Sequence, residues 1–133
     1  MLARLAAPLA VLALLAACGG GGNSDEENVE QVVRDFAEAT SESDGDRFCK
    51  ELITREFLEQ TTGAKGDKAE DQCAKQIDAL KGADIEIVDI KSTKVDGDKA
   101  TVTAELKQQG QTGQQTFNLQ REEGDFRLTS SAP

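Results

Sequence analysis

Three cysteines, Cys18, Cys49 and Cys73, and 25 carboxylates are the side chains with most chemical scope in this chain of 133 residues. Histidine, tyrosine and tryptophan are absent. Without histidine the chain lacks the usual general base near neutral pH and the commonest metal ligand. Without tyrosine and tryptophan it lacks common interface anchors. Two thiolates with no histidine are too few for a zinc site, and no Cys-x-x-Cys spacing marks a redox pair. The carboxylates cluster at Asp25-Glu26-Glu27, Asp44-Gly45-Asp46 and Asp96-Gly97-Asp98. Calcium favours several oxygens on a tight glycine-containing loop, but none of these clusters has the longer EF-hand loop with its terminal Glu. Helix capping and turn formation account for each of them. Lys65-Gly66-Asp67-Lys68 lacks the strand and the full glycine pattern of a phosphate loop and reads as a surface loop. No catalytic, metal-binding or cofactor-binding residue is assigned, and no cofactor is expected.

The balance of 15 basic against 25 acidic residues gives a formal charge of −10. A phosphate backbone is bound by clustered Lys and Arg; no such stripe is present, so nucleic acid is excluded as a partner. The length has room for one domain.

Residues 1–17 read as a processed leader. Arg4 supplies the positive start, and Leu5–Leu15 is apolar, interrupted only by Pro8. A run of this size is too short for a hydrocarbon core that needs roughly 20 helical residues. Leu15-Ala16-Ala17-Cys18 resembles the lipobox of bacterial lipoproteins. That resemblance implies cleavage before Cys18, a diacylglyceryl thioether on its sulfur, and attachment to the outer side of the cell membrane. Paired acyl chains supply the double signal that stable anchoring requires. An ordinary secretory leader, with Cys18 a free thiol, is the plainer alternative. Residues 18–24 then form the lipidated cysteine and a glycine-rich tether without side chains to pack.

With Cys18 acylated, Cys49 and Cys73 remain, and an exported compartment permits them to pair. Closing a loop of about 25 residues is worth roughly 3.5 kcal/mol in the loop-entropy model. Two buried free thiols acting as small hydrophobes are the alternative.

The elements that would position these groups lie in a single α+β domain over residues 25–131. A first helix is expected over Asp25–Ser41, opened by a capping box at Ser24-Asp25-Glu26-Glu27 and striped by Val29, Val32, Val33, Phe36, Ala37 and Thr40. Ser43-Asp44-Gly45-Asp46 ends it. A short helix carries Phe48, Cys49, Leu52 and Ile53 inward. Thr54 caps the next turn, with Ile53 and Leu58 at staple positions. A loop from Thr61 through Gly66 precedes a helix with a capped start at Asp67. Ala69, Cys73, Ile77 and Leu80 are expected on its inner face, with Gly82 as its stop.

Beyond Gly82 the periodicity alternates. Ile85 and Ile87 share one face and Val88 and Ile90 the other, which implies a bulge or a strand buried on both faces. Asp96-Gly97 signals a hairpin. Ala100, Val102, Ala104 and Leu106 follow; then a turn at Gly110–Gly113; then Phe117 and Leu119. A last turn at Glu122–Asp125 leads into Phe126 and Leu128. The five phenylalanines all fall on inward positions. Helices followed by a curved four-stranded antiparallel meander make an α+β architecture.

The order of elements resembles the nuclear transport factor 2-like superfamily, in its small envelope lipoproteins. The resemblance runs over about Asn28–Ser130. It is carried by Val32-Val33-x-x-Phe36-x-x-Ala39, Asp44-Gly45-Asp46, Cys49-x-x-Leu52-x-Thr54, Cys73 and Gly124-Asp125-Phe126-Arg127-Leu128. It implies a cone whose interior holds small molecules and sometimes catalyses. Its isomerase-like and dehydratase-like members use pocket Asp, His or Tyr. Phe126 stands where relatives often place Trp, and no catalytic position matches residue by residue. The expectation is a non-catalytic domain that binds a small apolar ligand or another envelope component such as an envelope protein. A cone enzyme using a buried Asp or Glu, and an interaction module without ligand, are the alternatives.

Overall fold

The computed structural model describes residues 24–80 and 83–132, with the backbone alone at 131 and 132. Cys18, the leader, the glycine tether and the Gly82 stop lie outside the described residues.

Helix α1 spans Asp25–Ser41, and Ser24 Oγ accepts a hydrogen bond from the Glu27 amide (3.2 Å). That bond satisfies one of the donors left free at a helix start. The acidic first turn faces the positive end of the helix dipole. Val29, Val33, Ala37, Ala39 and Thr40 are buried, with Val32 and Phe36 packed against the core. Thr40 satisfies its buried hydroxyl by donating to the Phe36 carbonyl (2.7 Å).

After α1 the chain forms one turn of helix, α2 (Gly45–Arg47), and continues as a π-turn over Phe48–Leu52. Ser43-Asp44-Gly45-Asp46 ends α1 as expected, and within that break Gly45 already begins the next helical turn. Asp44 caps this turn by accepting from the Arg47 amide. The glycine is needed for close approach: a Cβ there would lie 2.6 Å from the Ala74 carbonyl oxygen.

Helix α3 spans Arg55–Thr62, and Thr54 Oγ1 accepts from the Phe57 amide (3.2 Å). Ile53 and Leu58 are both buried at the staple positions. The helix runs two residues further than expected, taking in Thr61 and Thr62, and stops at left-handed Gly63. Helix α4 covers Asp67–Asp78. Its cap is Gly66, without a side-chain hydrogen bond, so Asp67 is the first helical residue and not the cap. Ala69, Cys73 and Ile77 are buried, but Leu80 lies beyond the helix end and is 48 % exposed. The helical period stops before it can turn Leu80 inward.

Strands β1 (Ile85–Asp96), β2 (Lys99–Gln108), β3 (Gln111–Glu122) and β4 (Asp125–Ala132) form one antiparallel sheet in sequence order. The β1–β2 register skips at Val88 and again at Lys91, and the β3–β4 register skips at Thr129. The first bulge resolves the phase slip: Val88 turns out to solvent, while Ile85, Ile87 and Ile90 all pack against the core. Bulges bend the strand and add twist, and both outer strands carry them.

The hairpins turn at Gly97-Asp98, Gln109-Gly110 and Glu123-Gly124. The last two pairs have positive φ at both residues, as tight hairpins of the I′ kind require. The β2–β3 turn is therefore shorter than the expected Gly110–Gly113, and Gly113 belongs to β3.

α1 packs against β1, β2 and β4. Val29 and Val33 join Val102, Phe117 and Leu119 at the centre of the core, where these five are at most 2 % exposed. The shorter helices attach at β4, where the Thr54 amide donates to the Leu128 carbonyl (2.9 Å) and Ile53 bridges Leu128. Arg127 Nη1 donates to the Lys50 carbonyl (2.8 Å). A disulfide joins Cys49 in the π-turn to Cys73 in α4, with their Cα atoms 6.0 Å apart.

Candidate functional site

The space between α1 and the sheet is packed with aromatic rings. Phe36 lies 5.4 Å from Phe48 and 5.5 Å from Phe117, centroid to centroid, the second pair edge to face. Such pairs favour tilted and T-shaped contacts at these separations. The inward heptad-like spacing of Phe36 on α1 and the strand alternation that buries Phe117 converge on the same point.

A cleft of about 310 Å³ lies between α1, the π-turn and the β3–β4 hairpin. Val32, Leu52 and Phe126 give it an apolar lining, and Asn28, Asp35, Glu51, Arg121 and Asp125 supply the polar groups. The volume sits at the small end of ligand sites, which combine apolar walls with a few polar groups. Phe126 thus lines this cleft as well as the core.

Arg121 fixes one wall. Its guanidinium carbon is 4.3 Å from the Phe126 ring centroid, a cation–π arrangement. Nη2 reaches Asp25 (3.2 Å) and Nε reaches Asp98 (3.3 Å), so one side chain links the start of α1 to the β1–β2 turn. Nη1 donates to the Gly124 carbonyl (3.4 Å). On the opposite wall Asp35 pairs with Arg47 (3.0 Å) and accepts from Gln31 Nε2 (2.8 Å). Glu51 and Asp125 are exposed. The arrangement can hold a small apolar body by desolvation and orient it with hydrogen bonds and charge.

The acidic clusters disperse into structural tasks. Asp25 and Asp98 hold Arg121, Asp44 caps α2, and Asp46 pairs with Lys50 (3.4 Å). Among the described residues no three Cys, Asp or Glu stand together as a metal site. The buried polar side chains there are Thr40 and Thr54, with no carboxylate among them. Leu80 and Val88 are the large apolar side chains exposed among the described residues, too little surface for an extended apolar patch. No described helix is long and apolar enough to cross a membrane.

Cys49 and Cys73 are brought together as expected, and Cys18 lies outside the described residues. The cleft itself was not foreseen. One signal for it was available: Phe117, Leu119 and Arg121 share the period of β3, so a cation stands in phase with inward residues.

No family model matches the chain, and no curated protein matches it. Solved structures do. A nuclear transport factor 2-like protein of unknown function from Silicibacter pomeroyi superposes with a TM-score of 0.56 at 17% identity, over 79% of this chain and 90% of the other. The intermembrane-space region of the chloroplast protein ARC6 gives 0.52 at 15% identity, over 84% and 97%. A Campylobacter jejuni protein provisionally named a nuclear transport factor 2-like transpeptidase gives 0.51 at 13%, over 77% and 98%.

The chain therefore has the α+β cone of the nuclear transport factor 2-like fold. At these identities the likeness is one of fold, and fold alone does not assign an activity.

Proposed function

We propose that this chain is a lipoprotein domain, anchored through acylated Cys18 on the outer side of a bacterial cell membrane, whose cone mouth binds a small ligand with an apolar body. The observation that carries the binding role is the cleft of about 310 Å³, where Val32, Leu52 and Phe126 meet polar groups on both walls. The aromatic packing behind it leaves the mouth as the place where a cone ligand would enter. The address is supported by Leu15-Ala16-Ala17-Cys18 and by a disulfide of the kind that persists in exported proteins. The role is binding without turnover, because the carboxylates at the cleft are exposed or, for Asp35, already paired with Arg47.

Two measurements test this. Cys18→Ser should move the protein from the membrane to the soluble fraction; retention of the variant on membranes refutes the anchor. For the cleft, the neutral probe 1-aminoanthracene should gain fluorescence with the full-length protein, whose lack of tryptophan and tyrosine leaves a dark background. Val32→Trp fills the cleft from a half-buried position on α1 and should cut probe binding at least tenfold with an unchanged circular dichroism spectrum. Equal binding by both proteins removes the cleft from the account and leaves an envelope protein as the partner to seek.

A further inference from the structure

We infer that the inner face of the β2–β3 hairpin is a second binding site, one for a neutral oligosaccharide, centred on Gly113. A hollow of about 500 Å³ is formed there by this hairpin. Paired residues of an antiparallel ladder share a face, and so do residues two apart. The pairs Leu106–Gly113, Gln108–Gln111 and Ala104–Gln115 thus put Gln108, Gln111 and Gln115 around Gly113 on the inner face of the sheet.

Gly113 has no evident structural reason to be glycine. It is absent from the positive-φ residues, and a Cβ placed on it would meet nothing within 4 Å. Glycine inside a strand weakens it and often marks close approach of a ligand or another backbone. Here the missing side chain leaves the floor of the hollow open opposite Leu106, which is itself buried.

The chemistry of the walls selects the ligand. From Gln108 to Gln120 no side chain is charged, in a chain where 30% of residues are. A site without a cation gives no purchase to phosphate or carboxylate, and one without a carboxylate gives none to an amine. Side-chain amides both donate and accept hydrogen bonds, as sugar hydroxyls do. Peptides docked on sheets draw specificity from pockets for alternate side chains, and this hollow offers no apolar pocket beyond the buried Leu106.

The test is an NMR titration of the full-length isotope-labelled protein in detergent micelles, with maltohexaose and with tetra-N-acetylchitotetraose. One of the two should shift the side-chain amide signals of Gln108, Gln111 and Gln115 saturably. The affinity should change less than twofold between low and high salt, since neither side is charged. Gly113→Val fills the hollow with a residue strands favour and should abolish the shifts while its spectrum stays dispersed. Val32→Trp, at the other cleft, should leave them intact, which separates this site from the cone mouth. Absence of saturable shifts with both sugars overturns the proposal, as does Gly113→Val binding like the parent. Gln115→Ala offers a second, milder variant, expected to weaken binding about fivefold; no change there together with unaltered Gly113→Val binding would equally sink it.

Discussion

The sheet and the layer of short helices are held in opposite ways. Each strand pairs with its neighbour in sequence through a two-residue turn, and β2 and β3 run through ten paired positions without a skip. Closing such short loops costs little entropy, so the sheet is built from local contacts. Helices α2, α3 and α4 have 3, 8 and 12 residues. Isolated helices of that length are marginal in water. They are secured by a covalent bond, a glycine contact and a cap, and they reach the sheet at Ile53, Thr54 and Leu128. One layer carries its own stability and the other borrows it from a few fasteners.

The largest effect should come from the disulfide. Cys49 and Cys73 are 24 positions apart, and opening that loop in Cys49→Ala/Cys73→Ala should lower unfolding free energy by about 3.5 kcal/mol in the entropy model. Denaturant titration measures the loss. Hydrogen exchange tests the comparison itself: amides of α4 should lose protection before those of β2 and β3. Simultaneous loss would mean that the two layers unfold as one unit.

Gly45→Ala comes next. Its Cβ would meet Ala74 backbone atoms at 2.6 and 2.8 Å, and backbone cannot rotate away as a side-chain tip can. Overpacking of this kind costs about 1–3 kcal/mol, and thermal unfolding should report it. Thr54→Ala should cost about 1 kcal/mol through loss of the α3 cap, with Thr54→Ser restoring most of it. If Thr54→Ala were neutral, the Thr54 amide bond to Leu128 would be carrying the junction alone.

The same contrast explains what could be read from sequence. Strand alternation displayed Val102, Phe117 and Leu128, and the capping pattern placed α1 at its observed ends, because these signals are local. The Val88–Ile90 slip pointed to a bulge or a strand buried on both faces, and the structure has the bulge. Gly45 was legible as part of the break after α1 but not as a contact residue, since a glycine required for approach to Ala74 looks identical to one that ends a helix. Leu80 continued a periodicity whose helix had already stopped at Asp78. The paired cysteines were legible through parity once Cys18 was set aside. The cleft was not, because Val32, Leu52 and Phe126 come from three elements and meet through tertiary packing.

The smallest effect should fall on the sheet, at Lys91. Its ammonium lies 3.1 Å from Asp89 and 3.3 Å from Glu105. Hydrogen bonds to Asp89 first, then Glu105, and their negative charges raise its pKa above the ordinary 10.5. A cation with a raised folded pKa contributes its full stabilisation below the unfolded value and loses it as pH climbs through the folded one. Lys91→Met should therefore melt slightly below the parent at pH 7, and the gap should close above pH 10.5. Solvent screening keeps exposed pairs weak, so the difference should lie near the scatter of repeated scans. A clear drop in melting temperature for Lys91→Met would show that the bulged edge of β1 depends on this ion pair, and that the sheet too relies on a fastener.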